Sequence, residues 1–89
     1  MRHRASSKFW EHYRRLPPPV QTLADENFKI LKVNPRHLSL HFKKIEEYHI
    51  VRVGLKYRAV AVEDGEDLVW FWIGPHPEYE RLLRTLRGG

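Results

Sequence analysis

The chain contains no cysteine, which removes disulfides, thiolate nucleophiles and every cysteine-ligated zinc or iron–sulfur site. It has no apolar run near the roughly 20 residues that a membrane-crossing helix needs, and its first residues, MRHRASSKFW, lack the apolar block of a signal peptide. A cytoplasmic protein with no membrane attachment is the expectation. Glycine is scarce: five residues, scattered singly except at the C-terminus, form no phosphate-cradling loop. No Ser–His–Asp arrangement suggests itself, so nucleotide hydrolysis and acyl transfer fall away.

What remains is compact and basic. With 89 residues the chain is long enough for one modest core, and a single domain over residues 1–89 is expected. Hydrophobic residues make up 42% and charged residues 30%, a globular balance, and three Trp, four Tyr and four Phe supply large rings to a small core. Sixteen Lys and Arg against eleven Asp and Glu leave a net charge of +5, which suits a polyanion or an acidic protein and equally a solvated basic surface.

Hydrophobic spacing orders the elements. Phe9, Trp10, Tyr13 and Leu16 recur at helical spacing behind Ser6 or Ser7, either of which can cap the helix. Three prolines then lead into a second amphipathic helix whose apolar stripe is Val20, Leu23, Ala24, Phe28 and Leu31. The short connection makes the two an antiparallel hairpin. From Leu38 to Phe42 the alternation predicts a short extended segment. YHIVRVG and YRAVAVE turn about Gly54, and Asp64-Gly65 turns the second of these into DLVWFWI, giving a three-strand meander. Strict alternation places Trp70 and Trp72 with Leu68 on one face of the last strand, and Val69, Phe71 and Ile73 on the other. Because that strand is apolar on both faces, both should be covered. A helix follows from about Pro77, with Glu78 and Glu80 in its first turn and Arg84 and Arg87 near its end, as the helix dipole prefers. The predicted fold is α+β, an N-terminal helical hairpin on a small antiparallel sheet with a short C-terminal helix.

Several residues invite chemistry. Arg52 and Arg58 flank the Gly54 turn on adjacent strands, where they either ion-pair with Glu63, Glu66 or a helix carboxylate, or clamp a phosphate with their planar forks. Tyr48, Ile50 and Arg52 share one face of their strand, and His49, Val51 and Val53 the other. His76 lies between Pro75 and Pro77 three residues before Tyr79, so it either turns the corner or serves as acid or base in ribose chemistry beside a phosphate-binding arginine. Phe42, Lys43 and Lys44 with Arg36 and His41 fit a nucleic-acid backbone, and fit a lysine-protected strand edge as well. His37, His41 and His49 lack i, i+4 spacing on a predicted helix, so neither a metal site nor a cofactor is expected.

The run YHIVRVGLKYRAVAVEDGEDLVWFWIGPHPEY, with the two helices before it and NPRHLSLHFKKI between, resembles the RelE/ParE superfamily of toxins from bacterial type II toxin–antitoxin pairs. The resemblance is carried by Tyr48, Ile50, Arg52, Val53, Gly54, Tyr57 and Arg58 in the hairpin, and by the strand that ends at Gly74 before His76. It implies a small basic toxin held by a cognate antitoxin in a hetero-oligomer. RelE-like members act as metal-independent messenger RNA endonucleases on the ribosome and so inhibit translation; ParE-like members share the fold but bind and inhibit DNA gyrase. A third possibility is an antitoxin-bound relic without activity. For the nuclease, the resemblance places Arg58 on the scissile phosphate and His76 where an arginine or histidine often stands, with Tyr79 earlier in the chain than the usual terminal tyrosine. His49 and Val51 occupy strand positions where some of these enzymes carry lysines; Val51 cannot hold a phosphate. The expected catalytic set is therefore Arg58, His76 and Tyr79, with Arg52, His49, Lys43, Lys44 and His41 binding RNA.

Overall fold

The computed structural model describes residues 2–88. The chain runs through strand β1 (Arg2–Ala5), helices α1 (Ser7–Arg14) and α2 (Pro18–Val33), a 3-10 turn (Leu38–Leu40), strands β2 (Lys43–Ile45), β3 (Tyr48–Val53), β4 (Tyr57–Asp64) and β5 (Asp67–Pro75), and helix α3 (His76–Leu86). The expected meander β3–β4–β5 forms the centre of a five-stranded sheet ordered β1-β5-β4-β3-β2. The expected α+β fold is present, with α1 and α2 on one face and α3 on the other. Among the described residues no helix is long and apolar enough to cross a membrane.

The helices begin where the caps direct. Ser6 accepts a hydrogen bond on its Oγ from the Phe9 amide at 3.2 Å, and α2 opens on prolines at its first positions, where the missing N–H has no intrahelical partner in any case. Across the pair, Tyr13 donates its hydroxyl to Asp25 at 2.9 Å and the Gln21 amide donates to the Tyr13 carbonyl at 3.0 Å.

Three features depart from expectation. Arg2–Ala5 forms a strand parallel to β5, although Arg-His-Arg has none of the β-branched alternation that marks one. Tertiary ion pairs supply what the pattern lacks: Arg2 donates from Nε and Nη2 to the two oxygens of Asp67 at 3.0 and 3.2 Å, and Arg4 reaches Asp64 at 2.7 Å. The segment predicted to extend from Leu38 is instead a 3-10 turn, with strand pairing delayed to Lys43. His37 Nδ1 accepts from the Ser39 amide, and His41 takes the left-handed conformation at φ 45°. The turn sends Leu40 inward, fully buried, and leaves Leu38 86% exposed, so it imitates the in–out alternation of a strand.

The third departure is in β5. Val60 pairs with Trp72 but Ala61 pairs with Trp70, so Phe71 is an extra residue in the ladder. Such a bulge turns the following side chains to the opposite face. Trp70 joins Leu68, Leu31, Val51 and Val53 under α1 and α2, while Trp72 joins Ile50, Val60 and Tyr79 under α3. Each tryptophan thereby anchors a different apolar layer, and both faces of β5 are covered as predicted.

Acid should loosen the β1 edge first. Hydrogen bonding from Arg2 holds the Asp67 carboxyl below its ordinary range, against an opposing effect of burial. A depressed folded-state value contributes stability above the unfolded carboxylate value, about pH 4, and that contribution is lost as pH falls through the lower folded value. The wild-type melting temperature should therefore drop more steeply below about pH 4 than that of Asp67→Asn. Parallel curves would show that the ion pairs do not hold β1.

Candidate active site

Arg52 of β3 and Arg58 of β4 are direct cross-strand partners, on the face covered by α3. Among the described residues neither has a carboxylate within salt-bridge distance; Glu63, a partner the sequence suggested, is taken by Lys44 at 3.1 Å and His49 at 2.6 Å. Arg58 Nη1 donates to the Tyr57 carbonyl at 2.8 Å and the Leu55 carbonyl at 3.3 Å, contacts that aim it without neutralising it. Burial and the adjacent Arg52 charge lower the Arg58 pKa, and Tyr79 opposes them. Arg52 Nε is buried without a hydrogen-bond partner. Two adjacent, partly buried, uncompensated cations are unfavourable to folding, and an anion seated between them would relieve both.

The neighbouring strand end leaves room for them. Arg58 pairs with Gly74, where a Cβ would stand 2.8 Å from Trp72 Cζ2; glycine lets the indole lie flat along the strand. The first residue of α3, His76, donates its amide to the Lys56 carbonyl at 2.8 Å, which ties the helix to the hairpin turn carrying the arginines. The His76 ring lies 5.6 Å from that of Tyr79, and its Nδ1 lies 3.5 Å from Glu80. Tyr79 is 4% exposed and its buried hydroxyl has no partner. Arg52, Arg58, His76 and Tyr79 thus gather about one corner of the α3 face: two fixed cations, an accessible imidazole and an unsatisfied hydroxyl.

The other predicted residues are divided. His49 keeps its predicted parity, which sets it on the α1–α2 face, buried, with Nε2 on Glu63 and Phe42 packed edge-on at 5.3 Å. Val51 is a core residue on that same face. Lys44 pairs with His49 and is held by Glu63. Lys43 pairs with Ile50, so it shares the α3 face with the arginines and is exposed. His41, Lys43 and Lys44 line a separate hollow of about 620 Å³ with Arg36 and His37. Among the described residues no group of three or more His, Cys, Asp or Glu is arranged to hold a metal ion.

One supporting residue escaped the sequence. Asn27 of α2 donates from Nδ2 to the Arg52 carbonyl at 3.2 Å, and Leu23, one turn earlier, packs on Gly54, where a Cβ would stand 2.7 Å from its Cδ2. Gly54 holds φ +66°, a conformation costly for any other residue under that contact. Asn27 lies within the apolar stripe, one turn after Leu23, so a polar residue on the packed face was the signal that could have marked it.

No protein-family model and no curated protein sequence matches the chain. Solved structures do. The RelE toxin of the RelB–RelE complex from Methanococcus jannaschii superposes with a TM-score of 0.69 at 17% identity, covering 89% of this chain and 96% of that one. The chain has the RelE toxin fold. YafQ from E. coli gives a TM-score of 0.71 at 11% identity over 89% of this chain and 98% of its own, and the isolated E. coli RelE toxin 0.60 at 13% over 94% and 97%. Coverage is near-complete on both sides in each case.

Proposed function

We propose that this chain is the toxin of a type II toxin–antitoxin pair and acts as a metal-independent messenger RNA endonuclease on the ribosome, inhibiting translation. The observation that carries this reading is the uncompensated Arg52–Arg58 pair beside the imidazole and phenol of α3. RNA can be cleaved without a metal when its own 2′-oxygen attacks the adjacent phosphorus. The P–O5′ bond breaks, leaving a 2′,3′-cyclic phosphate and a 5′-hydroxyl. This step needs cations at the charged phosphorane, a base for the 2′-OH proton and an acid for the departing 5′-oxygen.

Arg58, aimed by its two carbonyl contacts, and Arg52 would supply the cations, both already partly desolvated. His76, the half-exposed imidazole at the corner, would carry a proton, and the Tyr79 hydroxyl would orient a phosphate oxygen or the 2′-OH. Lys43 would hold flanking RNA on the same face, with His41 and Lys44 extending the basic surface beyond it. A cognate antitoxin would be the resident partner, as it is in the complexes of the M. jannaschii and Pyrococcus horikoshii proteins of this fold.

With purified ribosomes and a messenger RNA, wild-type cleavage should persist in a chelator. His76→Ala should slow it about 10²–10⁴-fold, the usual worth of a positioned acid or base, while antitoxin binding is retained. Cleavage that survives both His76→Ala and Arg58→Ala would sink the reading.

A second reading is inhibition of DNA gyrase. It is favoured by one observation: His49 and Val51, the positions where the resemblance expects nuclease lysines, face away from the arginine pair. Under that reading, resistance maps to gyrase and messenger RNA stays whole.

A further inference from the structure

On the sheet face opposite the arginine pair, a cavity of about 290 Å³ opens between α1, α2 and the sheet. Phe9 and Trp10 line it from α1, Phe28 and Leu31 from α2, and Val51 and Trp70 from the sheet. It exists because Ala24 and Ala59 stand in its lining, where larger side chains would close it. Trp10 and Phe28 are 43% and 40% exposed, so ring faces that would ordinarily be packed away border a ready-made aromatic slot.

Two polar groups give the slot chemical direction. The Trp70 indole N–H can only donate, and it lies 3.0 Å from His3 Nδ1. Nδ1 is therefore an acceptor, and the neutral imidazole carries its proton on Nε2. Burial, with the N-terminal and Lys32 charges, lowers the His3 pKa and so favours that neutral form. His3 Nε2 has no hydrogen-bond partner among the described residues. On the α2 side, Asp25 accepts the Tyr13 hydroxyl on Oδ1, which leaves Oδ2 to accept from a ligand. Both residues line the slot, with the His3 ring edge-on to Phe28 at 5.8 Å, so one side chain of the lining has a donor to give and another an acceptor.

We propose that this cavity binds a small planar bicyclic heteroaromatic bearing both a ring-nitrogen acceptor, for His3 Nε2–H, and an N–H donor, for Asp25. Free nucleobases and benzimidazole-type molecules share that chemistry. Indole has the donor without the acceptor, and serves as the control.

The test is a titration of the full chain with adenine, benzimidazole and indole, followed by backbone and indole N–H resonances. The expected result is saturable shifts at Trp10, Phe28 and Trp70 for adenine or benzimidazole, with either one identifying the source, and indole about tenfold weaker for the missing hydrogen bond. His3→Phe should equalise benzimidazole and indole. If that variant fails to fold because Trp70 loses its acceptor, Asp25→Leu should weaken every N–H donor ligand about tenfold. Three results would overturn the proposal: no shifts at these residues at millimolar ligand, equal affinity for indole in the wild type, or sedimentation showing that a second copy already covers Trp10 and Phe28.

Discussion

Arg58→Gln should reduce RNA cleavage about 10²–10³-fold, the usual worth of one fixed donor at a charged transition state, without lowering the melting temperature. Both effects have one cause. Arg58 and Arg52 are cross-strand partners with no carboxylate between them, and both burial and the Arg52 charge disfavour the Arg58 cation. The shorter glutamine gives up the Nη1 contacts to the Tyr57 and Leu55 carbonyls but removes one of two repelling charges, so the fold loses little. The transition state loses a desolvated cation. Activity and stability moving apart is the signature of a site held ready for an absent anion. If the variant melts well below the wild type, the arginine is a structural element of the hairpin and the site assignment fails. Rescue by Arg58→Lys should be partial, because an ammonium keeps the charge but not the planar fork.

Leu68→Ala should destabilise the fold severely. Leu68 is fully buried on β5 in the layer beneath α1 and α2, with Trp70 on the same strand. Truncating a buried leucine costs roughly 2–5 kcal/mol, the spread reflecting how far the site can collapse. The Phe71 bulge and the β1 pairing fix β5 on both sides, so collapse is restricted and about 4 kcal/mol is expected. For a domain of this size that is a large part of a total of about 5–15 kcal/mol, and the melting temperature should fall by on the order of 20 °C. A fall of only a few degrees would mean that the layer under the helix pair is loosely packed.

The sequence made legible whatever rests on local pattern. Both N-terminal helices announced themselves by the stripes Phe9–Tyr13 and Leu23–Leu31, and the meander by Gly54 and Asp64-Gly65. The parity of β3 followed from alternation alone, so Arg52 was correctly set on the face opposite Val51 and Val53. What failed depends on distant partners. β1 is a strand because Asp64 and Asp67 lie beside it, some sixty residues on. Trp70 and Trp72 separate because the β4–β5 register skips at Phe71, and no feature of DLVWFWI marks the bulge.

The site divides in the same way. Arg52, Arg58, His76 and Tyr79 were named from the sequence and lie together, since a hairpin and a strand–helix corner are local constructions. His49 was grouped with them, yet the predicted parity already placed it on the other face; a strand position implied by resemblance does not outweigh the pleat. Asn27 is a polar residue within the apolar stripe of α2, which marks it as facing the sheet, but its partner is a backbone carbonyl that carries no sequence signal.

The most direct test of the central claim is induced expression in bacteria of the wild type beside Arg58→Gln, with growth followed and messenger RNA 5′ ends mapped in the same cultures. New internal ends with growth arrest in the wild type, both absent from a folded Arg58→Gln protein, are the predicted result. Growth arrest without new ends, unchanged by the substitution, would contradict it and direct attention to gyrase.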